Sequence, residues 1–127
     1  MAIAKYLQKH PKITKVRYLG IKENLSKREK KIFKNQCKSP GAMISFHVKG
    51  KKKNAFKFLD SLNTIQLAVS LGGTESNAQH PWSMSHSNVP EKSRRAWGVD
   101  EQMIRLSVGI ENIDDLIGDL NQALKKS

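Results

Sequence analysis

Ala42, Ile44, Phe46 and Val48 alternate with Met43, Ser45 and His47. Side chains along a strand point to opposite faces in turn, so residues 42–48 predict a strand with one apolar face and one polar face. Ile104, Leu106 and Val108 alternate with Met103, Arg105 and Ser107 in the same manner. Two strands of this kind require a sheet that is dry on one side, and something must cover that side. The cover is written as helical stripes. Ile3, Tyr6, Leu7 and His10 share one face before Pro11, and Ala55, Phe58, Leu59 and Leu62 share another. Ile113, Leu116, Ile117, Leu120 and Leu124 make the longest stripe, with Asp114 and Asp115 in its first turn and Lys125 and Lys126 in its last, as the helix dipole favours. The fold class expected is α/β (an α+β sandwich): a small antiparallel or mixed sheet with helices packed on one face, forming a single domain over 1–127.

The remaining segments carry weaker signals. Residues 13–19 and 65–69 alternate briefly and predict short strands. Ser26 and Glu29 have capping-box spacing and predict a helix over 24–36, mostly solvated because Leu25, Ile32 and Phe33 form only a thin stripe. Gly50 and Lys51–Lys53 are expected to turn the chain. Residues 74–98 are expected to be irregular, with Pro90 opening a helical turn that closes at Gly98.

Charge divides the chain. Residues 1–57 hold 17 Lys/Arg against Glu23 and Glu29, whereas residues 58–127 hold 6 Lys/Arg against 9 Asp/Glu. A small basic module that binds nucleic acid through residues 1–57 is one reading. It lacks interleaved aromatics for base stacking and any recognisable reading helix. The single cysteine excludes an internal disulfide framework and fits a reducing compartment. No apolar run approaches the length of a membrane span, and MAIAKYLQKH has no signal-peptide pattern, so the expected setting is cytoplasmic, without a membrane.

Arg105 is the most informative charge. It stands mid-strand on the non-core face, where a guanidinium is either solvated, ion-paired, or aimed at a carboxylate that its planar fork grips with two hydrogen bonds. Ser70-Leu71-Gly72-Gly73 follows a strand, and glycines there serve either a plain turn or a close approach to a ligand. His80 and His86 match no zinc spacing and no CxxC exists, so no metal site is expected. Cys37, between Lys34 and Lys38, has no base partner in view.

From Ser70 onward the motifs are specific. AVSLGGTES (68–76), QHPWSMSH (79–86) and IRLSVGIENIDDLIGDLNQAL (104–124) closely resemble the C-terminal domain of pyridoxal-phosphate-dependent trans-sulfuration enzymes. That family of Cys/Met metabolism includes cystathionine γ-synthase, cystathionine γ-lyase, methionine γ-lyase and O-acetylhomoserine sulfhydrylase. IAKYLQKHPKITKVRYLG and GAMISFHVKG resemble earlier stretches of the same domain, so the resemblance spans nearly the whole chain. It implies the small domain of a fold-type I enzyme whose cofactor is pyridoxal 5'-phosphate (PLP), assembled in the family as a homotetramer. It implies an amino-acid substrate of homoserine-ester, cystathionine or methionine type. Carried onto this sequence, it makes Arg105 the partner of the substrate α-carboxylate, puts Ser70 and Leu71 beside cofactor and substrate, and puts Ser85 in the substrate pocket.

The same resemblance implies that the Schiff-base lysine and the other cofactor-holding residues belong to an earlier, large domain, so no catalytic residue is expected in this chain. The chain then corresponds to roughly the last third of a family member, and a helix that starts without an N-cap fits a truncated chain or one paired with a separately encoded large domain. Thr14-Lys15 near Tyr18 echoes the family's lysine motif but aligns to a small-domain strand, so Lys15 is not assigned as catalytic. Val69 before Ser70 resembles the methionine γ-lyase and sulfhydrylase pattern. Asn77, Trp82 and the basic 27–38 stretch depart from the family pattern, and burying Asn77 unpaired would cost a few kcal/mol.

Overall fold

A computed structural model describes all of residues 1–127. Five strands form one mixed sheet in the order β1-β2-β5-β4-β3: β1 (Ile13–Arg17), β2 (Met43–Val48), β3 (Gln66–Leu67), β4 (Asn77–Gln79) and β5 (Met103–Ser107). β1, β2, β5 and β4 run antiparallel to their neighbours, and β3 joins β4 in parallel. The helices are α1 (Ala2–Lys9), α2 (Lys27–Gln36), α3 (Lys52–Asp60), α4 (Glu91–Ala96) and α5 (Ile113–Lys126), with a 3-10 turn at Lys22–Asn24.

α1, α3 and α5 cover one face of the sheet. The apolar residues of β1, β2, β4 and β5 (Val16, Ile44, Phe46, Val48, Ala78, Ile104, Leu106) meet Leu7, Phe58, Leu59, Leu116, Leu120 and Leu124 in one buried cluster. Phe46 and Phe58 pack edge to face with ring centroids 5.7 Å apart. Such a cluster supplies the main drive to fold, since each fully buried large apolar side chain contributes about 1.5–3 kcal/mol.

The alternation in 42–48 and 103–108 separates the core face from the polar face, although His47, Met103 and Ser107 on the polar face are buried too, and the Ser26–Glu29 box closes with both hydrogen bonds, at 2.7 and 3.2 Å. Three expectations need correction. Residues 77–79 are not irregular but form β4, an interior strand of the sheet. The 65–69 strand shrinks to the two-residue β3. Lys52 and Lys53 belong to the first turn of α3, where the Asn54 side chain accepts the Lys51 N–H at 3.0 Å, instead of forming a loop. The helices that pack on the sheet lie on one face as expected, and Trp82 and Val99 of the 80–100 segment form a separate small cluster with Met103 of β5. α2 contributes no buried residue, and its lysines stand in solvent without an ion pair.

Candidate functional site

The wet face of the sheet carries one continuous polar row. Arg17 on β1, Ser45 on β2, Arg105 on β5 and Gln79 on β4 are successive register partners. Arg105 sits at the centre of this row, half-buried, and burial lowers its pKa without removing its charge. No carboxylate of the chain pairs with it: Glu91 pairs with Arg95 (2.7 Å), and Asp100 lies 3.1 Å from His47 Nε2. The Arg105 guanidinium therefore keeps its charge without an internal counter-ion.

Gln79 faces Arg105 across the ladder and is only 1% exposed. The amide orientation that satisfies both residues turns the Gln79 oxygen to the guanidinium, 2.8–3.1 Å from its three nitrogens, and 3.2 Å from Ser85 Oγ. Ser85 Oγ in turn lies 2.8 Å from His86 Nδ1. Ser85 returns to the sheet because residues 80–86 coil into a tight turn, with the Met84 N–H on His80 O (3.1 Å) and the His86 N–H on Pro81 O (2.9 Å). Two expected site residues, Arg105 and Ser85, are thus brought together through a third that the sequence reading left out. Gln79 was not singled out because a single glutamine before His-Pro carries no chemical signature on its own.

Ser70 and Leu71 are placed differently. Both are exposed on the turn after β3, and neither side chain contacts Arg105 through a hydrogen bond. Their turn is nonetheless anchored to the strand of Arg105. Gly72, in the left-handed region at φ +73°, donates its N–H to Ser107 Oγ at 2.9 Å. The other end of the turn is held by Glu111, whose carboxylate accepts the Ser76 N–H (2.6 Å) and hydroxyl (2.8 Å), while Ser76 Oγ accepts the Gly109 N–H (2.8 Å). Burial raises the Glu111 pKa, and these hydrogen bonds outweigh it and leave a net lowering. A Cβ on Gly109 would collide with the Thr74 carbonyl, so only glycine allows the two segments to touch.

Two of the departures from the family pattern are locally compensated. Asn77 is buried but not orphaned, since its Nδ2 donates to Glu75 O at 3.0 Å. Trp82 is roofed by Arg94, whose guanidinium carbon lies 3.8 Å from the ring centre. His80 binds Ser83 Oγ (2.7 Å) and Glu101 O (3.0 Å) through its two ring nitrogens. Cys37 is exposed at the end of α2, and Lys15 is exposed on β1, the edge strand. The largest groove, about 1120 Å³, runs between β1 and α2 and contains none of Arg105, Ser70, Leu71 or Ser85. The Arg105 face is instead open, flanked by exposed Leu67, Val69 and Leu71 on β3 and its turn. No helix is long and apolar enough to cross a membrane.

A PLP site needs a lysine amine at the reacting centre and a cradle for the phosphate. In this chain no lysine enters the Arg105–Gln79–Ser85 network, and the Gly72–Gly73 turn leads into β4, not into a helix N-terminus. These residues do not by themselves fit the cofactor.

Comparison with known proteins gives a consistent picture. The Cys/Met metabolism PLP-dependent enzyme family matches over residues 1–125. Cystathionine gamma-lyase of Sus scrofa is 46% identical over 125 residues, covering 98% of this chain and 30% of that protein. L-methionine gamma-lyase of Fusobacterium nucleatum subsp. polymorphum is 44% identical over 124 residues, covering 98% and 31%. The crystal structure of cystathionine gamma-lyase from Lactobacillus plantarum complexed with L-serine superposes with a TM-score of 0.89 at 39% identity, over 98% of this chain and 32% of that one. The chain thus spans about a third of the length of the relatives it matches.

Proposed function

The chain belongs to the Cys/Met metabolism PLP-dependent enzyme family, and from that membership we propose that it is the small domain of a trans-sulfuration enzyme, the part that grips the substrate's α-carboxylate. The observation that carries this reading is the half-buried Arg105, mid-strand and without a counter-ion in its own chain. The relatives are named for cystathionine and methionine cleavage, and the substrate class proposed is an amino acid of cystathionine, methionine or homoserine-ester type.

Arg105 has N–H groups in a planar fork that matches both oxygens of a carboxylate. Fixed on the middle strand, it holds the substrate's Cα in one orientation, and orientation alone accounts for a large part of a catalysed rate. Ser85, tied to Gln79 beside Arg105, contributes a hydroxyl to the substrate side, and the exposed Ser70 and Leu71 turn faces the groups that complete the site. PLP, which residues outside these 127 would chiefly hold, would supply the electron sink for carbanion chemistry at Cα. Those residues come from a large domain, in the same protein or on a separate chain, in an assembly that in the family is a homotetramer.

The test is an NMR titration of the chain with L-methionine and, in parallel, L-methioninamide, following the Arg105 side-chain Nε–Hε signal. The carboxylate should move the signal and the amide should not. Arg105→Ala should weaken methionine binding by about 10–100-fold, the loss of one charge-assisted interaction. Equal responses to both ligands, or binding that survives Arg105→Ala, would remove the basis of the proposal. The chain mixed with PLP alone should give no stoichiometric borohydride-trapped lysine adduct.

A further inference from the structure

We propose that Gln79 is a positioning residue for Arg105, and that it sets the direction of a hydrogen-bond chain ending on His86, which carries its proton on Nδ1. The argument is one of donor and acceptor counting. Gln79 is 1% exposed, so its amide must be satisfied inside the protein. The Arg105 guanidinium is a cation, so the negative end of the amide, the Gln79 oxygen and not its NH2, must face it. Ser85 Oγ lies 3.2 Å from that same oxygen, and a carbonyl oxygen only accepts, so the Ser85 hydroxyl donates to it. A hydroxyl has one hydrogen. With that hydrogen committed to Gln79, the 2.8 Å contact between Ser85 Oγ and His86 Nδ1 is a bond in which Nδ1–H is the donor. Neutral His86 is thereby the Nδ1–H tautomer with Nε2 free as an acceptor.

The arrangement explains why a neutral amide stands opposite the arginine. The Gln79 oxygen is nearly equidistant from all three guanidinium nitrogens, 2.8–3.1 Å, which puts it over the face of the group. The face is held by a dipole, the charge is not neutralised, and the N–H edges of the fork remain open. This consequence for ligand binding rests on the reading of Arg105 as a carboxylate fork; the hydrogen-bond order does not.

The test uses the full chain without ligand, so it succeeds or fails independently of carboxylate binding. The ¹⁵N shifts of neutral His86 should show a protonated Nδ1 and a bare Nε2. The Arg105 Nε–Hε order parameter should lie in the rigid range, above about 0.8. Gln79→Leu removes the acceptor and releases the Ser85 hydroxyl to donate to Nδ1. His86 should then change to the Nε2–H tautomer, and the Arg105 order parameter should drop below about 0.6. Gln79→Glu, which keeps an acceptor oxygen in place, should preserve both signals. Ser85 is exposed, so Ser85→Ala keeps the test available if Gln79→Leu does not fold; it should change the tautomer of His86 and leave Arg105 ordered. An Nε2–H tautomer in the unmodified chain would overturn the proposal. So would a folded Gln79→Leu chain with both signals unchanged, or a Ser85→Ala chain in which His86 keeps its proton on Nδ1.

Discussion

Ser107 Oγ accepts the Gly72 N–H at 2.9 Å, and Ser107 is itself only 1% exposed. The turn that carries Ser70 and Leu71 is therefore fastened to the strand that carries Arg105, two residues further along. Ser107→Ala removes this bond at a cost of about 1 kcal/mol. Hydrogen exchange at the Gly72 amide should quicken roughly fivefold while the β2–β5 ladder keeps its protection. An unchanged Gly72 rate would mean that the turn is held by something else.

Asp119 on α5 holds the entry to β3. Its carboxylate accepts three successive backbone N–H groups, Asn63 (2.8 Å), Thr64 (2.9 Å) and Ile65 (2.9 Å), and Gln122 Nε2 at 2.9 Å. Burial pushes its pKa up, and these bonds together outweigh burial and hold it below the ordinary value of 3.8. A carboxyl depressed in the fold contributes stability above its unfolded pKa, and that stability is lost as pH falls through the folded value. Asp119→Ala should lower unfolding stability by about 2–3 kcal/mol at pH 7, measured in urea, and by progressively less below pH 4.

His47 and His80 are expected to drive a second pH dependence. Burial lowers the pKa of both below 6.5; Asp100 opposes the shift at His47, and the Glu101 carbonyl opposes it at His80. The unfolded chain binds protons at these sites first, so stability should decline as pH drops below about 6.5, by at most ~1.4 kcal/mol per pH unit for each histidine. The paired substitution His47→Gln with His80→Gln should flatten the profile between pH 6.5 and 5. A profile equally steep in that variant would assign the effect to other groups.

Arg94 roofs Trp82 and donates from Nη1 to the Trp82 carbonyl at 2.6 Å. Arg94→Ala should cost about 1–2 kcal/mol and shift the Trp82 emission to the red as water reaches the ring. Lysine, lacking the planar face, should restore only part of the stability.

Strand alternation was enough to place Arg105 and Ser107 on the polar face and Ile104 and Leu106 on the core face. Alternation needs length, however. β4 has only three residues, Asn77–Gln79, two of them polar and all buried, so no period marks it. Its existence is enforced by pairing with β5, a contact between residues far apart in the chain. Gln79 was missed with it. Asp119 and Glu111 were missed for a related reason: each reads as a solvated acid on a helix or loop, and only the fold brings the backbone N–H groups they serve. Trp82 looked like a departure from the family pattern until Arg94, 12 residues later, was found stacked on it.

The strand order β1-β2-β5-β4-β3 also governs how the protein is made. β5 lies between β2 and β4, and its pairing with β2 joins residues roughly 60 positions apart. During synthesis the first four strands leave the ribosome with the middle of the sheet vacant, and α5, which covers much of the core, emerges after β5. The apolar face of that sheet therefore stays uncovered until β5 and α5 have also been made.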